Sequence, residues 1–312
     1  MQILAGVGAA ARVSVAGYFG GGTTGTPQSG IEKVTFSADT ISTLSATLTT
    51  GRRYPGGFAD SGVAGYVGGG YNGTSNQSSI DKITFPADTK TTLSATLTSA
   101  RQTLGSFSNT AVAGYFAGGY DGSSYLDGID KIAFPADTKT TLSATLTSAA
   151  NHLAGMANYG VAGYIGGGFD SLSNYLNRID KISFPADTKS TLSATLSNNA
   201  QSYAGMADSG TAGYFAGGFT GLVELNVIDK IAFPADTKTT LSATLSSARG
   251  WVTGMANSGV AGYFGGGGEA GGATYLSGVD KIAFPADTKS TLSATLSQTK
   301  YGMAGFADCG VF

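Results

Sequence analysis

Four aromatic side chains recur at equivalent places: Tyr71, Tyr120, Phe169 and Phe219 each follow a Gly-Gly pair. A crescent of such rings suits stacking against sugar rings. It equally suits packing between strands, because aromatics bury large areas. Basic side chains recur at Arg52, Arg101, Arg249 and Lys300. Facing a central channel, they would bind an anionic glycan; the competing role is pairing with a backbone carbonyl or a neighbouring Asp. Other chemistry fails on counting. His152 is the only histidine and Cys309 the only cysteine, so a two-histidine copper site and an intrachain disulfide are excluded. There is no Gly-x-Ser-x-Gly elbow and no Gly-x-x-x-x-Gly-Lys-Ser/Thr phosphate loop. A Pro-Ala-Asp-Thr cluster recurs, with Asp88 and Asp137 among its acids. One carboxylate per copy falls short of a calcium shell and suits a turn. Carboxylates paired between copies remain open, but nothing selects a pair. The expectation is no catalytic residue, no metal and no cofactor.

Six near-copies of one unit must position these residues. Ala-Gly-Tyr recurs at Ala16, Ala64, Ala113, Ala162, Ala212 and Ala261, a spacing of 48 to 50 residues. Leu-Ser-Ala-Thr-Leu recurs from Leu44, Leu93, Leu142, Leu192, Leu241 and Leu292. A period near 50 marks a propeller or solenoid. In the copy from Val112 to Gly160, Val112 to Phe116 is a strand stopped by Gly118-Gly119. Ile129 to Phe134 is the next, closed by the Pro-Ala-Asp-Thr turn. Thr141 to Leu146 alternates apolar and polar, which predicts a third strand, and Ala154 to Ala157 a fourth. One unit cannot bury both sheet faces alone, so neighbouring units must pack as blades. The expected fold is all-β: a six-bladed propeller of four-stranded antiparallel blades.

The net charge of −2 and a charged fraction of 12% exclude nucleic-acid binding by bulk electrostatics. No run of 18 apolar residues occurs, so no membrane-inserted helix is expected. Met1 to Ala11 is mildly apolar but lacks the basic start of a secretion signal. The last Asp anchor, Asp280, plus 32 residues reaches Phe312. The chain thus supplies one more innermost strand, about Tyr301 to Asp308. This assigns 14–312 to a propeller closed by the C-terminal strand, and 1–13 to an N-terminal arm.

The hydrophobic-Tyr-x-x-Gly-Gly strand, the acidic strand after the loop and the basic residue opening the next strand resemble a kelch-type propeller. The resemblance spans roughly residues 14–312. It departs from kelch at the usual fourth-strand Trp, whose place is taken by Leu-Ser-Ala-Thr-Leu; the only Trp is Trp251. Gly-Tyr-Phe-Gly-Gly followed by Ile-Asp-x-Ile is also similar to repeat proteins in virions of phages of cyanobacteria and other aquatic bacteria. That resemblance implies a virion location, in tail or fibre, with other virion proteins as partners. The alternative is a secreted or cell-surface protein.

The copies differ in two places. From each acidic anchor to the next Ala-Gly-Tyr the count is constant at 32, so length varies only between Gly-Gly and that anchor. The second variable patch comprises Arg53-Tyr54-Pro55, Gln102-Thr103-Leu104, Asn151-His152-Leu153, Gln201-Ser202-Tyr203, Gly250-Trp251-Val252 and Tyr301-Gly302-Met303. In an up-and-down blade both lie at one end, where loops on a rigid scaffold carry recognition. Their Tyr, Asn, Ser and Gly content is that of adaptable binding surfaces. The candidate ligand-binding residues are Tyr71, Tyr120, Asp121, Tyr125, Phe169, Asn174, Tyr175, Phe219, Trp251, Arg101 and Arg249. The function expected is non-catalytic recognition of host-surface glycan. The alternative is a structural spacer or hub holding virion proteins by the uniform face; a secreted hydrolase is a third option.

Overall fold

The computed structural model describes residues 16–308. The arm assigned to 1–13 lies outside the described residues. Six four-stranded antiparallel sheets follow one another as the blades of a propeller. In one blade, Gly105–Asn109 is innermost, followed outward by Ala113–Ala117, Ile129–Ala133 and Thr138–Thr141. Ala113–Ala117 is buried throughout, because each of its faces meets an adjacent blade. Tyr301–Ala307 pairs with Ala16–Thr23, setting Phe306 opposite Tyr18. The two ends of the described chain therefore share one sheet.

Small residues allow the innermost strands to crowd the axis. A Cβ on Gly155 would collide with the Ser106 carbonyl oxygen, and one on Gly205 with that of Gly155. Further out, apolar side chains interleave between blades. Phe107 of one blade packs with Ile165 and Ile182 of the next.

One polar device ties every blade to its neighbour, and a second does so at four of the six junctions. The Asp of the Pro-Ala-Asp-Thr turn reaches back to the preceding blade. Tyr66 Oη donates to Asp137 at 2.7 Å and Lys82 Nζ at 2.6 Å. All six junctions repeat this, the last through Tyr263 and Lys281 onto Asp39, whose turn reads Ser-Ala-Asp-Thr. This carboxylate is more than the self-bonding turn acid that its motif suggests. It is a clamp, placed by a left-handed backbone at φ 55° in Asp137. The second device buries the basic positions. Arg52, Arg101 and Arg249 pair with Asp81, Asp130 and Asp280 at 2.9, 2.9 and 2.7 Å, and Lys300 pairs with Glu32 at 3.1 Å.

The outer strand differs from its sequence-based bounds. In five blades it is the four-residue Thr-Lys-Thr/Ser-Thr segment, such as Thr89–Thr92. Leu-Ser-Ala-Thr-Leu lies beyond it. The adjacent strand begins only at Ile80, so Leu93 and Leu97 bond Ile80 and Ser78 by single backbone contacts. The expected alternation persists, with Leu97 buried and Ser94 and Thr96 exposed. In the first blade the inner partner starts one residue earlier, at Gly30. Thr47 then finds a ladder partner, and the outer strand runs Thr40–Thr47.

Candidate functional site

The two variable segments of each copy meet by backbone pairing at one end of the disc. Arg53 pairs with Tyr71, Gln102 with Tyr120, Asn151 with Phe169, Gln201 with Phe219 and Gly250 with Gly268. Thr23 pairs with Tyr301 to complete the circle. At the other end the two uniform turns meet, with Phe134 N donating to Val112 O and its equivalents following suit.

The rings at the variable end form a continuous belt. Tyr120 meets Tyr125 edge-on at 5.4 Å, and Tyr125 meets Phe169 at 6.1 Å. Phe169 packs on Tyr175 at 4.9 Å, Tyr175 on Phe219 at 6.4 Å, and Phe219 stacks on Trp251 at 5.7 Å. Trp251 continues to Tyr301 and then Tyr54. The Arg53 guanidinium lies 5.4 Å from the Tyr54 ring and 5.2 Å from that of Tyr71, bringing Tyr71 into the belt. Most of these rings are half-buried, so they pack between copies and still present part of their surface to solvent.

Asp121 and Asn174 stand beside this belt with local tasks. The Asp121 carboxylate accepts from the backbone of Ser123 and Ser124 at 2.8 and 2.7 Å, and these bonds hold it below the usual carboxylate range. Asn174 Nδ2 donates to Asp170 at 3.2 Å, and its amide ring-fences the same loop through a 2.9 Å bond. Arg101 and Arg249 do not join the belt. Both are buried in their Asp pairs, and burial lowers both guanidinium pKa values. Burial works to raise Asp130, but hydrogen bonds from Thr98 and the Arg101 charge outweigh it, and its pKa falls.

Grooves open between adjacent loops. One of about 540 Å³ is lined by Arg53, Tyr71, Asn76, Gln102, Tyr120 and Asp121. Another of about 500 Å³ is lined by Asn174, Tyr175, Asn177, Arg178 and Asn199. A third, about 430 Å³, lies between Tyr120, Tyr125 and Ser171. The first two set aromatic surface beside amides and hydroxyls, and the third beside hydroxyls.

At the axis, six equivalent residues share an unusual backbone. Tyr54, Thr103, His152, Ser202, Trp251 and Gly302 have φ of 58°, 57°, 51°, 61°, 54° and 62°. Left-handed φ is uncommon for bulky or β-branched residues. It is imposed by a circle of blade-to-blade backbone bonds. Tyr54 N donates to Gly302 O, Gly302 N to Trp251 O, Trp251 N to Ser202 O and Ser202 N to His152 O. Leu153 N to Thr103 O and Thr103 N to Tyr54 O close it. Burial pushes the His152 imidazole down to about 4. Tyr54, His152 and Tyr301 were not among the sequence-derived candidates, although all lie in the second variable patch, which was the signal available for them.

The fold and this end of the disc define a six-bladed β-propeller with one uniform face and one variable, aromatic-rich face. No protein-family model matches the chain, and no curated protein matches it. Among the described residues, no three His, Cys, Asp or Glu side chains gather where a metal ion could be held, and no helix is long and apolar enough to cross a membrane.

Proposed function

We propose that the protein is a non-catalytic recognition module that binds host-surface glycan through its variable face. The observation that carries this reading is the gathering of every variable segment at one end, joined by a belt of half-exposed rings. Aromatic ring faces stack on the C–H faces of sugars, while amides and hydroxyls in the grooves bond their hydroxyls. The proposed setting is a phage virion, in tail or fibre, and rests on the repeat's resemblance to virion proteins of aquatic phages.

The test is an array of bacterial surface polysaccharides probed with the wild type, Tyr120→Ala and Tyr175→Ala. Binding should fall at least about tenfold in each variant, with the melting temperature within about 4 °C of wild type. Normal binding by both variants, or loss of glycan binding on changing Val112 of the opposite face to Lys, would sink the reading. One observation favours the structural-hub alternative. Val63, Val112, Val161 and Val260 are 46, 45, 43 and 53% exposed at equivalent positions of the uniform face. A ring of apolar side chains suits contact with another virion protein.

A further inference from the structure

The six left-handed residues surround one hollow at the end of the central channel, and no two carry the same side chain. Its volume is about 70 Å³. That holds several water-sized groups, at about 10–15 Å³ each, and so fits a substituent rather than a whole sugar ring. Leu104, Leu153, Val252 and Met303 supply apolar lining, and Tyr54 and Trp251 line it too. No Lys, Arg, Asp or Glu lines it. The sixth copy contributes Gly302, where a Cβ would collide with the Tyr54 ring. The missing side chain makes room for that ring at the mouth.

Three polar atoms of these residues are screened from water and make no hydrogen bond within the protein: Trp251 Nε1, His152 Nδ1 and Ser202 Oγ. Unpaired dry polar atoms are costly, and so is left-handed backbone at bulky residues. Here the two coincide in the same three residues.

Resting on the recognition reading above, we infer that the hollow receives the acetamido arm of an N-acetylated amino sugar at the end of the glycan. The group's methyl packs on Leu104, Leu153, Val252 and Met303. Its carbonyl oxygen accepts from Trp251 Nε1–H. Its N–H donates to Ser202 Oγ, or to His152 Nδ1 when that imidazole carries its proton on Nε2. Entry parts the Tyr54 and His152 rings, whose centroids are 5.7 Å apart, and uncovers the three screened atoms. Arg53 sits outside, over Tyr54 and Tyr71, so the hollow itself is built for an uncharged group.

Trp251 is the only tryptophan, so indole emission excited beyond the tyrosine absorption reports this site alone. The full chain is titrated with the methyl glycosides of N-acetylglucosamine, N-acetylgalactosamine and glucose. At least one acetamido sugar should change the emission saturably, with Kd around 1 mM, and glucose should bind at least tenfold more weakly. Ser202→Ala should weaken the acetamido response about fivefold at unchanged melting temperature. If that variant misfolds, the glucose comparison on the wild type decides. An equal response to glucose, or none to any sugar, overturns the inference. Polysaccharide binding on the array that needs Tyr120 and Tyr175 while Trp251 stays silent defeats the acetamido site and leaves the recognition reading standing. Silence in both defeats both.

Discussion

The turns of the uniform face hold their neighbours, whereas the loops of the variable face hold mostly themselves. Asp137 accepts from Tyr66, 71 residues away, and from Lys82, 55 residues away. Across the disc, Asp121 accepts from residues two and three positions on, Asn72 does the same, and Asp170 bonds residues two and four positions on. A loop that satisfies its own backbone can change length and composition without loosening the ring. A clamp cannot, because its partner sits in another blade. Variation has gathered where polar bonding is local.

That contrast can be broken by measuring where substitutions hurt. The largest loss is expected for Arg101→Ala, which leaves the buried Asp130 without its guanidinium partner and with only Lys139 Nζ, 3.6 Å away at the outer edge. About 3–5 kcal/mol should disappear from the denaturant-unfolding free energy; a loss below about 1 kcal/mol would show that the buried pair is dispensable. Two junctions bound the expectation, since Ala150 and Ala200 stand at the Arg position. Arg178 Nε lies 3.6 Å from Asp180 and partly serves there, whereas Asp229 keeps only the lysine contact, Lys238 at 3.4 Å, that Asp81, Asp130 and Asp280 have as well.

Next is acid. His152 titrates near 4 in the folded protein because it is desolvated, against about 6.5 in an unfolded chain. Between these values the unfolded chain binds the extra proton, so stability falls as pH drops below about 6.5. His152 ceases to add to the loss below about 4. Its full contribution is at most about 3.5 kcal/mol, at about 1.4 kcal/mol per unit. His152→Gln should flatten the stability profile across that window. An unchanged profile would place the imidazole in water rather than in the axial hollow.

Asp137→Asn should cost about 1–2 kcal/mol, because it loses the Lys82 charge while an oxygen remains for the Tyr66 hydroxyl. Tyr175→Ala should cost about 1 kcal/mol or less, since it removes one ring from the belt. Yet it should weaken glycan binding at least about tenfold. If Tyr175→Ala unfolds the chain more readily than Asp137→Asn, the division into a holding face and a recognising face is mistaken.

The repeat made much of the architecture legible. Anchors near every 49 residues, Gly stops and Pro-Ala-Asp-Thr turns are local signals, and they led to six four-stranded antiparallel blades, which the structure has. The constant 32-residue spacing confined length variation to one segment per copy, and the structure brings that segment beside the second variable patch. The outer strand was misplaced because alternation survives where the ladder has ended. Leu97 turns inward as the pattern demands, but no adjacent strand runs beside it. The candidate site was legible as a set of positions and not as a belt, because ring-to-ring contact depends on how neighbouring blades are rotated.

Sequence alone determined the number of blades, their turn chemistry and the segments free to vary, since these are written in period and residue type. Tertiary structure decided partners. It buried Arg101 against Asp130 instead of leaving it on a binding surface, and turned Asp137 from a turn residue into a clamp. It also bent Tyr54, Thr103, His152, Ser202 and Trp251 into left-handed backbone around one hollow. No local pattern predicts that last feature. The bonds imposing it run between blades, so the conformation exists only once the ring has closed.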